Sequence, residues 1–124
     1  MNKEVGCTLL IKDDFNNVLV LNKKVKRGEE QTWSLLSGKS RGKESDEKCI
    51  DRTVKDVLKS IPFETKFVGE YESDEESFKV YSAILRERIV LHKNYKECKW
   101  VGKNELEKLN LLERDKSILR EYFV

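Results

Sequence analysis

The stretch GKSRGKESDEKCIDRTVKDVLKS, from Gly38 to Ser60, joins a glycine-containing loop to an amphipathic helix. Its apolar residues recur at helical spacing and are predicted to face a core: Ile50, Val54, Val57, Leu58 and Ile61. The polar residues predicted on the other side of the helix are Arg52, Thr53, Asp56 and Lys59. Because serine is a favourable N-cap, the helix should begin near Ser45 or Asp46. The residues expected to be buried against a sheet are Ile50, Val54 and Leu58.

The same stretch resembles the Nudix box. That motif is written G, five residues, E, seven residues, R-E-U-x-E-E-x-G-U, where U is aliphatic. The residues that match it in type and spacing are Gly38, Glu44, Arg52 and Val54. The residues that depart from it are Thr53, Val57, Lys59 and Ser60. Asp56 keeps a carboxylate, on a shorter side chain, where the first Glu of the E-E pair belongs. The spacing of the box is therefore kept, while much of its negative charge is missing.

Two further segments extend this resemblance beyond the box. The sequence WSLLSG, at residues 33–38, looks like the family's W-x-L-P-G-G lead-in, with Leu36 and Ser37 in place of Pro and the first Gly. Trp100 and Val101 look like the Trp-Val pair of the family's late strand, which precedes a helix. The resemblance therefore covers almost the whole chain.

The order of the predicted elements indicates a mixed α/β domain. Apolar runs predict a hairpin at residues 5–11 and 18–21, and further strands at 63–71, 78–85 and 97–101. Apolar residues at helical spacing predict two later helices, at 106–109 and 118–123. The resemblance implies the Nudix fold in particular, an α/β/α sandwich around a mixed β-sheet, as a single domain over residues 1–124.

The composition restricts the possible function classes. A chain of 124 residues suits one compact domain. Its 25 basic and 23 acidic residues leave a formal net charge of +2, which argues against strong nucleic-acid binding through bulk electrostatics. Three widely separated cysteines indicate neither a disulfide framework nor a zinc site, and favour a cytoplasmic setting. The N-terminal apolar run is too short for a signal peptide or a membrane span, so no membrane partner is expected.

Nudix hydrolases, as the resemblance implies, use a divalent metal to hydrolyse a nucleoside diphosphate linked to another group. Carried onto this sequence, the catalytic residues are Glu44, Arg52 and Asp56. The metal ligands are Glu44, Asp56 and Glu97. Arg52 would orient Glu44 as its ion-pair partner. Mg²⁺ prefers oxygen ligands, but Thr53 and Val57 replace two of the box carboxylates, so we expect Mg²⁺ binding to be weak or absent.

Basic residues and the glycine of the box are the candidates for binding a nucleotide-like small molecule. They are Lys23, Lys24, Gly38 and Lys39. The segment 23–28 concentrates positive charge just before the box, as a rim that faces phosphate groups would. The alternative interpretation of this segment is a solvated loop, which is the commoner role of surface charge runs.

Three hypotheses about function remain open at this point. The first is a MutT-like Nudix pyrophosphohydrolase with a degenerate box and weak or no ordinary activity. The second is a catalytically inactive module that keeps the fold and binds a nucleotide. The third is a protein-interaction domain without a small-molecule ligand. The sequence predicts no particular oligomeric state.

Overall fold

A computed structural model describes residues 4–123 of the chain. The strands are β1 (Glu4–Lys12), β2 (Val18–Lys23), β3 (Trp33–Ser34), β4 (Leu36–Lys39), β5 (Pro62–Glu72), β6 (Glu76–Leu85) and β7 (Tyr95–Val101). The helices are α1 (Asp46–Leu58) and α2 (Glu113–Tyr122), with a 3-10 turn at Leu106–Lys108 between β7 and α2. The predicted hairpin, the strands, the box helix and the C-terminal helix are therefore confirmed.

Within residues 4–123, seven strands form one mixed sheet. β1 lies at its centre, parallel to β6 on one side and antiparallel to β4 on the other. β5 extends the sheet beyond β6, and β2 joins β1 to β3 and β7. This is the mixed sheet that the resemblance implied.

Two hydrophobic cores lie on opposite faces of the sheet. Leu9 of β1 packs in the core beneath α1, whereas its neighbour Leu10 packs in the core beneath α2. Side chains alternate between the two faces of a strand, so β1 supplies both cores. The residues predicted to be buried on the box helix are indeed buried: Ile50, Val54 and Leu58. The predicted α/β/α sandwich is confirmed.

Two predictions for the box helix are wrong. Thr53, expected on the polar side, is only 4% exposed, because the buried stripe of α1 also includes position 53. Ile61, expected in the core, is 52% exposed. The helix ends at Leu58, and Lys59 adopts a left-handed conformation, so helical spacing no longer applies to Ile61.

The beginning of the box is a strand rather than a loop. Gly38 lies within β4 and pairs with Cys7 of β1. A side chain at position 38 would collide with Thr53 of α1, because the strand and the helix pass too close for a Cβ atom. Glycine is therefore required here by a close approach between two elements.

The apolar run at residues 89–91 forms no strand, but it caps the C-terminal end of α1. The backbone N–H of Val90 donates to the carbonyl oxygen of Leu58, and that of His92 donates to the carbonyl oxygen of Val57, each at 2.8 Å. The last carbonyl groups of a helix have no partner within the helix. This segment therefore satisfies two of them.

We predict that Gly38→Ala lowers the free energy of unfolding by about 1–3 kcal/mol, because the added methyl group overpacks the contact with Thr53. Thr53→Ala in the same chain should recover part of that loss. Chemical denaturation of the two single variants and the double variant measures the coupling. Gly69→Ala is the matched control, since a Cβ atom at position 69 meets no atom within 4 Å. Additive effects of the two substitutions would contradict this account.

Candidate functional site

The start of α1 is fixed to the loop and to the sheet. Ser45 is the N-cap, and its hydroxyl accepts a hydrogen bond from the backbone N–H of Lys48 at 3.3 Å. Asp46 accepts the hydroxyl hydrogen bond of Tyr81 at 2.9 Å and pairs with Lys79 at 3.2 Å. Since Tyr81 and Lys79 lie on β6, these contacts hold the first turn of the helix against the sheet.

Arg52 closes the loop that precedes the helix. Its guanidinium donates to both oxygens of Glu44, with Nε to Oε2 and Nη2 to Oε1 each at 2.9 Å. Nη2 also donates to the backbone carbonyl oxygen of Lys39 at 2.7 Å. The hydrogen bonds from Arg52 lower the pKa of Glu44 to about 2. Glu44 is therefore ionised, and Arg52 neutralises it.

Asp56 lies at the edge of the same ion pair. Its carboxylate is 4.0 Å from Nη1 of Arg52, and its side chain is 54% exposed. The Arg52 guanidinium thus pairs with both carboxylates at box positions, those of Glu44 and Asp56. The three predicted catalytic residues are therefore brought together. Their combined charge is only about −1.

The two positions that lack box carboxylates are used for packing. The Thr53 hydroxyl donates to the carbonyl oxygen of Cys49 at 2.7 Å, inside the helix. Val57 packs against the core beneath α1. Glu97, the third predicted metal ligand, is an exposed residue of β7 whose backbone N–H donates to Asn22. Neither Thr53 nor Val57 supplies charge to the surface of the box.

These residues do not fit a divalent metal site. Mg²⁺ takes near-octahedral oxygen ligands, usually with carboxylates among them. Among residues 4–123, no three or more His, Cys, Asp or Glu side chains are grouped so that they could hold a metal ion. In addition, both oxygens of Glu44 are engaged by Arg52. A metal would have to compete with that ion pair.

A polar network on the other face of β4 was not predicted from the sequence. Arg114, near the start of α2, pairs with Glu76 at 3.2 Å and with Asp115 at 3.1 Å, and donates to the Ser37 hydroxyl at 3.3 Å. The guanidinium also lies over the ring of Phe78, 4.7 Å from its centroid. Arg114 therefore ties α2 to β4 and β6.

Asp115 is fully buried and anchors the segment between β3 and β4. Its carboxylate accepts the backbone N–H of Leu35 at 3.0 Å. Burial raises the pKa of Asp115, while Arg114 and this hydrogen bond oppose the increase. Ser37 is linked to Thr8 of β1 by a 3.0 Å hydrogen bond. The one sequence feature that could have indicated this polar network is Ser37, which stands where the motif has glycine.

A cavity of about 300 Å³ opens beside this network. Its polar lining residues are Lys23, Glu30, Thr32, Ser34, Ser37, Tyr95 and Arg114. Lys23, one of the predicted substrate-binding residues, lies over the ring of Tyr95, with Nζ 5.9 Å from the centroid. Cationic groups, hydroxyl groups and the carboxylate of Glu30 therefore line one concave surface.

The other predicted substrate-binding residues are placed differently. Lys24 is exposed, and its backbone N–H donates to the carbonyl oxygen of Asn94 at 2.9 Å. Gly38 faces α1 through its contact with Thr53. Lys39 is exposed at the end of β4, next to the loop that Arg52 closes.

Comparison with solved structures identifies the architecture. The chain superposes on MutT from work on Aliivibrio salmonicida and Vibrio cholerae with a TM-score of 0.83, at 14% identity over 98% of each chain. It superposes on a Nudix hydrolase family member from Chromobacterium violaceum with a TM-score of 0.80, at 17% identity over 98% of this chain and 77% of that one. For a MutT Nudix hydrolase from Burkholderia pseudomallei the TM-score is 0.72, at 17% identity over 97% and 98%.

The α/β/α sandwich and these superpositions show that this chain has the Nudix fold. No model of a protein family matches the sequence, and no curated protein matches it either. Neither of the two helices that the structure describes has the length and apolar character needed to cross a membrane.

We predict that Glu44→Gln lowers the melting temperature at neutral pH, because it removes the ionised partner of Arg52. A carboxylate with a lowered pKa stabilises the fold above its unfolded pKa, and this contribution disappears as the pH falls through the folded pKa. The difference from wild type should therefore shrink between pH 4.5 and about 2. Thermal melts over this pH range test it. Glu47→Gln, an exposed residue of the same helix, is the control, and a constant difference for Glu44→Gln would contradict the assignment.

Proposed function

We propose that this chain is a Nudix hydrolase homologue that binds a nucleotide-like ligand and has weak or no metal-dependent pyrophosphohydrolase activity. The observation that supports the proposal is the charge balance of the box. Arg52 engages Glu44 and lies 4.0 Å from Asp56, while positions 53 and 57 carry no carboxylate. Without several convergent carboxylates, the box has little to hold the ions on which this hydrolysis depends.

The cavity beside β4 supports a binding role. Ligand sites are concave, and a few polar groups orient the ligand within them. Here Lys23 supplies positive charge, and Ser34 and Ser37 supply hydroxyl groups, while the charge of Arg114 is already paired with Glu76 and Asp115. The cavity volume of about 300 Å³ is at the lower end for small-molecule sites. A small polar ligand whose anionic group meets Lys23 is the ligand class that fits this lining.

The cavity and the box are connected through β4. Ser37 and Gly38 are consecutive in β4, and their side-chain positions face opposite sides of the sheet. Ser37 meets Arg114 of α2, and Gly38 meets Thr53 of α1. The strand then leads directly into the loop that Arg52 closes. The cavity and the box loop are therefore neighbours along the chain, while Ser37 and Gly38 face opposite sides of the sheet.

We predict that millimolar Mg²⁺ leaves the box largely unoccupied. Only Glu44 and Asp56 remain as carboxylates at box positions, and Arg52 competes for Glu44. Isothermal titration calorimetry of the free protein with Mg²⁺ tests this directly. Tight binding without nucleotide, weakened by Glu44→Gln, would show that other groups complete a metal site.

We also predict very low turnover of nucleoside triphosphates and dinucleotide-type substrates by the natural sequence. The variant Thr53→Glu, Asp56→Glu, Val57→Glu should raise it by roughly tenfold or more, because it restores three Glu on one face of α1. Phosphate release with Mg²⁺ over a nucleotide panel measures the effect. Asp56→Glu alone is the control, since it changes no charge.

A thermal melt of the triple variant should accompany the phosphate-release assay, to show that the variant is folded. Thr53 is buried and Val57 packs in the core, so the new carboxylates carry a desolvation cost. Ordinary enzyme rates in the natural protein would contradict the proposal. A folded triple variant that stays inactive would instead place the defect outside the box, for example in the lead-in at Leu36 and Ser37.

A further inference from the structure

A row of charged residues runs along the exposed side of α1, and its sign changes halfway. The members of this charged row are four residues apart: Glu47, Asp51, Lys55 and Lys59. Positions four apart lie on one face of a helix, so the first half of the row is acidic and the second half is basic. All four residues are exposed, and Lys59 directly follows the last residue of the helix, Leu58.

The charges of this row are unpaired within the described part of the chain. Among residues 4–123, its four members form no ion pair and no side-chain hydrogen bond. Opposite charges four residues apart often pair on a helix, yet Asp51 and Lys55 do not. The order of the signs suits the helix dipole, which favours acids in the first turn and bases in the last. The dipole does not account for the apolar surface beside the row.

Two neighbouring grooves form that apolar surface. The first has a volume of about 460 Å³ and lies along the acidic half, where its charged lining residues are Glu47 and Asp51. The second has a volume of about 500 Å³ and lies along the basic half, where its charged lining residues are Asp51, Lys55, Lys59 and Glu87. Ile61 and Pro62 line both grooves, and Ile61 is 52% exposed. An exposed apolar patch with a charged rim is typical of an interaction surface.

We propose that this surface binds a second copy of the chain across a two-fold axis, with the two α1 helices antiparallel. A two-fold interface uses the same patch on both subunits, so the patch must be complementary to itself. The charged row has this property. With the axis between Asp51 and Lys55, Glu47 faces the partner's Lys59 and Asp51 faces the partner's Lys55. The symmetry forms each of these ion pairs twice.

The charges and the apolar residues have different roles in this dimer. Complementary charges set the orientation, because parallel helices would place acid against acid and base against base. Exposed ion pairs contribute little free energy, so burial of Ile61 and Pro62 from both copies supplies most of the stabilisation. Glu87 offsets part of the positive charge of the basic half.

Sedimentation equilibrium of the full chain tests the dimer. We expect a monomer–dimer equilibrium that shifts toward monomer as the salt concentration rises, because exposed charges are screened. Lys55→Glu with Lys59→Glu gives an all-acidic row, and Glu47→Lys with Asp51→Lys gives an all-basic row. Each variant alone should raise the Kd of the dimer at least about tenfold, since like charges then face each other. An equal mixture of the two variants should form a heterodimer. Thermal melts confirm that both variants are folded.

The matched control is Lys103→Glu with Lys108→Glu, which changes the net charge by the same amount as the all-acidic variant. Both lysines are exposed and lie after β7, outside the charged row. The control variant should dimerise as wild type does, and it should bind the all-basic variant more weakly than the all-acidic variant does. Equal binding by the two would reduce the effect to net charge and overturn the inference.

Two other results would also overturn the inference. One is a natural protein that stays monomeric at concentrations up to about 1 mM, since a dimer of millimolar Kd is detected there. The other is a dimer whose Kd changes in neither row variant, since its interface must then lie elsewhere on the surface.

Discussion

The close approach of α1 to β4 at Gly38 is the contact on which the arrangement of the box depends. No Cβ atom fits between Gly38 and Thr53. Because the helix lies so close to the strand, the Cys49 thiol is 3.6 Å from the carbonyl oxygen of Gly38. For the same reason, Nη2 of Arg52 is 2.7 Å from the carbonyl oxygen of Lys39. The helix is thereby held so that Arg52 spans the loop. A bulkier residue at position 38 would move the helix and break this connection.

With α1 held against β4, the net charge of the box depends on how many carboxylates pair with Arg52. With Glu44 and Asp56 alone, the guanidinium offsets one of the two negative charges, and the group keeps a charge of about −1. Arg52 then contributes mainly to structure, because its hydrogen bonds to Glu44 and to a backbone carbonyl close the loop. The same ion pair that stabilises the loop also makes Glu44 a poor candidate for metal binding.

The sequence was sufficient for the architecture but not for the polar contacts across it. The burial of Ile50, Val54 and Leu58 follows from local spacing on one helix, and periodicity reports such spacing well. The hydrogen bond from Leu35 to Asp115 joins residues 80 positions apart, and no local pattern encodes it. Thr53 was misplaced because its polarity suggested solvent, while its hydroxyl is satisfied inside the helix.

Two of the residues that depart from the motif, Thr53 and Ser37, form contacts within the protein. Thr53 bonds to Cys49 and fills the space beside Gly38, and Ser37 bonds to Thr8 and accepts a bond from Arg114. In a metal-dependent site, side chains at such positions must stay available to a ligand. Here both side chains are hydrogen-bonded within the protein, so neither faces an ion in the box.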